Sequence, residues 1–79
     1  QKGRDLLYVH KYREALPYLS EAIRLKPDFA QAWNARGFAY MLAGNDKAAL
    51  ADLDEALRLN PKYGNAYKNR SIVRGRLGD

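Results

Sequence analysis

Cysteine is absent, so neither a disulfide nor a thiolate metal site can hold this chain together. That absence fits a reducing compartment, and the cytoplasm is the expected one. There is one histidine, His10, with no second imidazole to share a zinc ion. It reads as a turn or surface residue. No apolar run approaches the roughly 18 residues that a membrane span requires, and no signal-like segment is present. Gln1 stands where an initiator methionine would, so the chain is expected to be a piece of a longer protein. Its 79 residues make at most one small domain. A chain of that size buries only about 60% of the surface its unfolded form exposes, which leaves a thin stability margin.

Catalytic groups are equally sparse. Ser20 and Ser71 have no base at a recognisable spacing. Asp52, Asp54 and Glu55 form an acidic cluster, but residues two apart on a helix point to different sides, so this is a solvated face and not a carboxylate pair. Gly37 and Gly44 do not make a phosphate-binding loop. The chain therefore reads as a non-enzyme with no cofactor and no metal. Its net charge of +5 favours acidic partners, whether nucleic acid, anionic lipid or acidic peptide. The cations are spread along the chain, which reads first as a solvated surface.

What the sequence does contain is itself, repeated. Shifted by 34 residues, Gly3, Ala15, Leu16 and Leu19 fall on Gly37, Ala49, Leu50 and Leu53. Glu21, Ala22, Arg24, Leu25 and Pro27 fall on Glu55, Ala56, Arg58, Leu59 and Pro61. These are 9 identities among the 29 pairs that match residues 1–29 to 35–63. A second shift carries Trp33, Arg36 and Gly44 onto Tyr67, Arg70 and Gly78. Within the unit, Ala32, Trp33, Ala35, Phe38, Ala39, Tyr40 and Leu42 mark one broad helical face, and Ala49, Leu50, Leu53, Ala56, Leu57 and Leu59 mark another. Gly44-Asn45-Asp46 reads as a helix stop, a turn and an N-cap. Asn60-Pro61 ends the second helix, because the residue before proline is driven out of the α region. Five helices are predicted, over about 1–9, 13–26, 30–43, 47–59 and 64–77. Pro17 then falls near the first turn of the second. Gly37, Ala49 and Ala56 set small residues against Trp33, Tyr40, Leu53 and Leu57, which lets helices approach closely.

Trp33-x2-Arg36-Gly37-x2-Tyr40, followed by Ala49-x3-Leu53, Ala56 and Pro61, resembles the tetratricopeptide repeat, whose pattern is W-x2-L-G-x2-Y, then A-x3-F, then P. The resemblance covers the whole chain, as about two and a third repeats. Residues 1–29 look like an N-truncated repeat, 30–63 like a complete one, and 64–79 like the first helix of a third or a cap. Arg36 and Arg70 stand where leucine is usual, Leu53 replaces an aromatic, and His10 replaces the turn glycine. Ser71 and Arg74 replace the glycine and tyrosine seen at Gly37 and Tyr40. The implied fold is all-α, with antiparallel helix-turn-helix units stacked as a right-handed α-solenoid. Arg36 and Asp52 lie on consecutive helices and can pair; the alternative is that Arg36 lays its stem over the core and keeps its head wet. Arg70 is placed to reach Asp52 or Glu55.

The resemblance also implies that first helices line a concave side. Helical phase then points Arg4, Leu7 and Tyr8, then Gln31, Asn34, Phe38, Met41 and Leu42, then Asn65, Lys68, Ile72, Gly75 and Arg76 toward the groove. Leu7 and Leu42 read better as packing residues. Phe38, Met41 and Ile72 would form an apolar floor, Asn34 and Asn65 an amide clamp, and Arg4, Lys68 and Arg76 a positive rim. A peptide with an apolar anchor and acidic flanks suits that description. The clamp by which some relatives hold a chaperone's C-terminal carboxylate is not reproduced, since Ala35 and Phe38 occupy positions where it needs asparagine. The competing expectation is self-association, a homo-oligomer formed through apolar faces at the repeat ends. Nucleic-acid binding through Tyr67, Lys68, Arg70, Arg74 and Arg76 is disfavoured, because these cations fall on several faces.

Overall fold

The computed structural model describes the backbone from Lys2 to Gly78 and side chains from Lys11 to Gly78. Among the described residues there are four helices: α1 (Lys2–Leu25), α2 (Ala30–Leu42), α3 (Asp46–Leu59) and α4 (Gly64–Arg76). α2 packs on α3, α1 packs on α2, and α4 lies against both α3 and α2. None of these helices is long and apolar enough to cross a membrane.

Four helices replace the five predicted because the chain does not turn near residue 10. α1 runs unbroken through His10, Lys11 and Tyr12. The equivalent turn after α2 depends on Gly44, which takes φ +83°. His10 has a side chain that disfavours that left-handed conformation, so the helix continues. Pro17 consequently sits in a helix interior and not near a first turn. It donates nothing to the Arg13 carbonyl and crowds it, at a cost of about 3 kcal/mol relative to alanine. Pro17→Ala should therefore raise the urea midpoint; were residue 13 a true helix start, the substitution would change little.

The turn between α2 and α3 is a left-handed glycine cap. The Gly44 amide donates to the Met41 carbonyl at 3.1 Å and the Asn45 amide to the Tyr40 carbonyl at 2.9 Å. Asn45 then caps α3, its Oδ1 accepting from the Ala48 amide at 3.3 Å. A Cβ on Gly44 would meet nothing within 4 Å, so any penalty there is purely conformational. Gly44→Ala should cost about 1–2 kcal/mol, a fall of several degrees in Tm for a domain of this size, measured by circular dichroism.

The two proline turns are built alike. Lys26-Pro27 ends in a bond from the Phe29 amide to the Lys26 carbonyl (3.2 Å), and Asn60-Pro61 in one from the Tyr63 amide to the Asn60 carbonyl (3.1 Å). Trp33 ties α2 to the first of these turns, its Nε1 donating to the Pro27 carbonyl at 2.8 Å. The main core gathers Met41, Ala49, Leu53, Ala56, Leu57, Ala66 and Val73. The close approach falls at Gly37, where an added Cβ would lie 2.9 Å from Leu53 Cγ and Cδ2 and 3.3 Å from the Ala49 carbonyl oxygen. Exposed pairs decorate α1 and α3: Arg24 with Glu21, and Arg58 with Glu55. Each arginine's hydrogen bonds hold its glutamate below the ordinary carboxylate range. Their stabilisation is present above the unfolded pKa and lost as pH falls through the lowered folded value; solvent screening keeps it small.

Candidate functional site

α4 lies beside α2 and brings two helical stripes together. They border a groove of about 520 Å³, open to solvent. α2 contributes Asn34, Ala35 and Phe38, and α4 contributes Asn65, Lys68, Asn69 and Ile72. Tyr12 closes one side from α1, its ring meeting that of Phe38 edge to face at 5.0 Å and 86°. Positions 65, 68, 69 and 72 follow the i, i+3, i+4, i+7 spacing of one helix face.

The floor of this groove is apolar. Phe38 is half-buried, while Ile72 is 43% exposed and leaves apolar surface open to the hollow. The wall is a chain of amides. Asn69 Nδ2 donates to Asn34 Oδ1 at 3.2 Å, and Asn34 Nδ2 donates to the Tyr63 hydroxyl at 3.4 Å. A carboxamide has two N–H groups and two lone pairs. Asn34 is therefore held in place by one of each and keeps one of each for a ligand. Lys68 brings a positive charge to the rim, and among the described residues no carboxylate pairs with it.

Of the residues expected at a groove, Asn34, Phe38, Asn65, Lys68 and Ile72 meet in this one. Met41 does not: it is 5% exposed and belongs to the core, where Ala66 and Val73 of α4 share its cluster. At that end of α2 the neighbouring helix covers the stripe, and a thioether is well suited to burial. Arg76 is also elsewhere. Its Nη2 lies 3.0 Å from Asp46 Oδ1 at the start of α3, a charge contact without hydrogen-bond alignment. Gln31 is exposed but outside the groove lining, and Leu42 is half-buried. Gly75 faces a different hollow. Arg4, Leu7 and Tyr8 lie outside the described side chains. Tyr12, Ala35 and Asn69 line the groove without having been expected there. Asn69, four residues after Asn65, was available from helical spacing; Tyr12 was hidden by the turn wrongly expected around it.

The match to a tetratricopeptide repeat family model extends over residues 1–64. The chain belongs to the tetratricopeptide repeat family. It is 45% identical over 38 residues to a TPR repeat-containing protein of Rhizobium etli, an overlap of 48% of this chain and 19% of that relative. The chain thus spans about a fifth of the relative it matches. Tetratricopeptide domains serve in general as non-catalytic scaffolds for protein–protein interaction. Among the described residues no three His, Asp or Glu side chains are grouped to hold a metal ion.

Among the departures of this tetratricopeptide domain from the family pattern, one is buried and polar. Arg36, at the position usually held by leucine, is bidentate to Asp52: Nε to Oδ2 at 2.7 Å and Nη2 to Oδ1 at 2.8 Å. Asp52 is the buried charge of the core region, with its side chain 5% exposed, and Arg36 is 19% exposed. The arginine also donates to Ser20 Oγ at 3.2 Å and stacks near Trp33 and Tyr40, at 5.2 and 5.7 Å from the ring centroids. Hydrogen bonding to Asp52 raises the Arg36 pKa above its ordinary value, with burial opposing. Of the two arrangements the sequence left open for Arg36, pairing is the one present. Arg70 behaves otherwise than expected: its partner is Asp54, at 3.3 Å, and not Asp52 or Glu55. Asp52 is buried against Arg36, whereas Asp54 is exposed on α3 within reach of Arg70.

Proposed function

We propose that this tetratricopeptide domain binds a peptide segment of a partner protein in the groove between α2 and α4. In this reading 30–63 is the complete unit and 64–79 is the first helix of the next. The helices stack antiparallel, as in a right-handed solenoid, and the groove is the concave side. The single observation that carries it is the convergence of an apolar floor, half-buried Phe38 and exposed Ile72, with pre-positioned amides and a lysine in one concavity. An apolar anchor residue fills the floor. The peptide backbone takes the remaining donor and acceptor of Asn34, together with the amide of Asn65. An acidic residue beside the anchor meets Lys68.

Selection from a random peptide library displayed on phage tests this. Enriched peptides are expected to carry one large apolar residue flanked by Asp or Glu. Ile72→Ala should weaken their binding by more than about 1 kcal/mol, as truncation of a central anchor contact does. Lys68→Ala should weaken it by about 0.2–1 kcal/mol, with the difference shrinking at high salt. Peptides without acidic bias, or ligand-induced amide shifts that avoid residues 34, 38, 65, 68 and 72, would count against the groove.

A further inference from the structure

We infer that this chain forms a two-fold dimer by exchanging the first third of α1, so that residues 2–9 of each copy cover the second half of α1 in the other. The face to be covered carries Ala15, Leu19 and Ala22, all half-buried, and Tyr18, which is 79% exposed. In the 34-residue register these correspond to Ala49, Leu53, Ala56 and Asp52, which are at most 4% exposed. α3 owes that burial to α2, which folds back on it: a Cβ on Gly37 would meet Leu53, and Arg36 pairs with Asp52.

The segment that would do the same for α1 is present in the chain. Residues 2–9 are in register with 36–43, and Gly3 with Gly37. They do not fold back, because α1 is unbroken from Lys2 to Leu25. At 1.5 Å per residue, positions 3 and 19 of one helix stand about 24 Å apart. An unbroken helix cannot cover its own flank, so the covering segment comes from a second copy.

The register also fixes the arrangement. Two α1 helices laid antiparallel and crossing at residue 11 put Gly3 of each opposite Leu19 of the partner subunit, the pairing that Gly37 makes with Leu53. The contact is self-complementary, as a two-fold interface requires. The hinge then decides between exchange and closure, since an exchanged element makes the same contacts as one folded back within its own chain. Closure needs at position 10 the left-handed conformation that Gly44 takes at φ +83°. A histidine disfavours it, whereas exchange keeps residues 10–12 helical, as they are.

Sedimentation equilibrium of the full chain, from micromolar to millimolar, is expected to give twice the single-chain mass of 9.0 kDa. His10→Gly/Lys11→Asn gives positions 10 and 11 the residues found at 44 and 45, and should return the mass to that of one chain. It leaves Tyr12 in place against Phe38. Because the chain has no cysteine, Gly3→Cys/Leu19→Cys reports the contact directly. The approach of Gly37 to Leu53 is close enough for the roughly 3.5–4.5 Å between Cβ atoms that a disulfide spans. Oxidation should therefore link two chains covalently, and in the His10→Gly/Lys11→Asn background it should close within one. Ile72→Ala, in the groove, should leave the mass unchanged, so failure of this dimer is distinguishable from failure of the groove. A single-chain mass at every concentration would overturn the inference. So would a mass that keeps growing beyond two copies, which assigns association to the repeat ends. A dimer that survives the hinge substitutions, or a disulfide closed within one chain when the hinge is unaltered, would overturn it equally.

Discussion

Arg36→Leu should destabilise this domain by about 3–5 kcal/mol at neutral pH, even though it restores the residue usual in the family. The reason lies with the partner left behind. Asp52 is 5% exposed and takes both guanidinium hydrogen bonds. Without Arg36 its carboxylate stays buried among apolar neighbours with neither water nor a countercharge, the costly half of a broken ion pair. The arginine does not suffer equally in the reverse experiment. In Asp52→Leu it is already 19% exposed and retains Ser20 and the faces of Trp33 and Tyr40. That variant should lose less than Arg36→Leu. The double variant Arg36→Leu/Asp52→Leu should return to the wild-type value or above it, because apolar replacement of a buried pair is often neutral or stabilising. Urea unfolding of the four proteins closes the cycle. If Arg36→Leu alone matched the wild type, the pair would contribute nothing to stability.

That pair was legible in part from the sequence. Two residues 16 apart, on helices that fold back on each other, are candidates for contact, but spacing alone could not decide between pairing and a solvated arginine. The decision is three-dimensional: Asp52 lies on the face of α3 that also carries Ala49, Leu53 and Ala56, so Arg36 must come to it. The helix pair from Ala30 to Leu59 was readable because every local signal agreed there. Gly44 breaks, Asn45 caps, Asn60-Pro61 stops, and small residues face large ones. In the N-terminal stretch periodicity and local chemistry disagree, and local chemistry prevails. The 34-residue match demanded a turn near residue 10, while His10-Lys11-Tyr12 offers no glycine to make one, and α1 continues unbroken.

The groove shows the same limit. Helical phase put Asn34, Phe38, Asn65, Lys68 and Ile72 on one side, and these five line the same hollow. It could not foresee that α4 closes over Met41 or that Arg76 reaches Asp46, because both depend on where α4 sits relative to α2 and α3. Residues whose environment is fixed by their own helix were predictable, whereas those fixed by the position of a neighbouring helix were not.

The close helix approach at Gly37 leads to the second large effect. Leu53 is fully buried and seats its branch in the notch that Gly37 leaves. Leu53→Ala should cost about 2–5 kcal/mol, the transfer loss plus the cavity. Stability per residue in native proteins is about 0.05–0.15 kcal/mol, or roughly 4–12 kcal/mol for this length, so the variant should be largely unfolded if the wild type is near the lower end. Gly37→Ala alone should be neutral to destabilising. Its Cβ gains about 1 kcal/mol of helix propensity, but it meets Leu53 Cγ and Cδ2 at 2.9 Å and the Ala49 carbonyl at 3.3 Å, an overpacking that costs about 1–3 kcal/mol. In the Leu53→Ala background the sign should reverse. The leucine branch is gone, the new methyl enters the cavity, and the propensity gain is retained, so Gly37→Ala should then stabilise by about 1 kcal/mol. Thermal melts of the two single variants and the double measure that coupling directly. If Gly37→Ala had the same effect in both backgrounds, the glycine would be there for a reason other than its fit against Leu53.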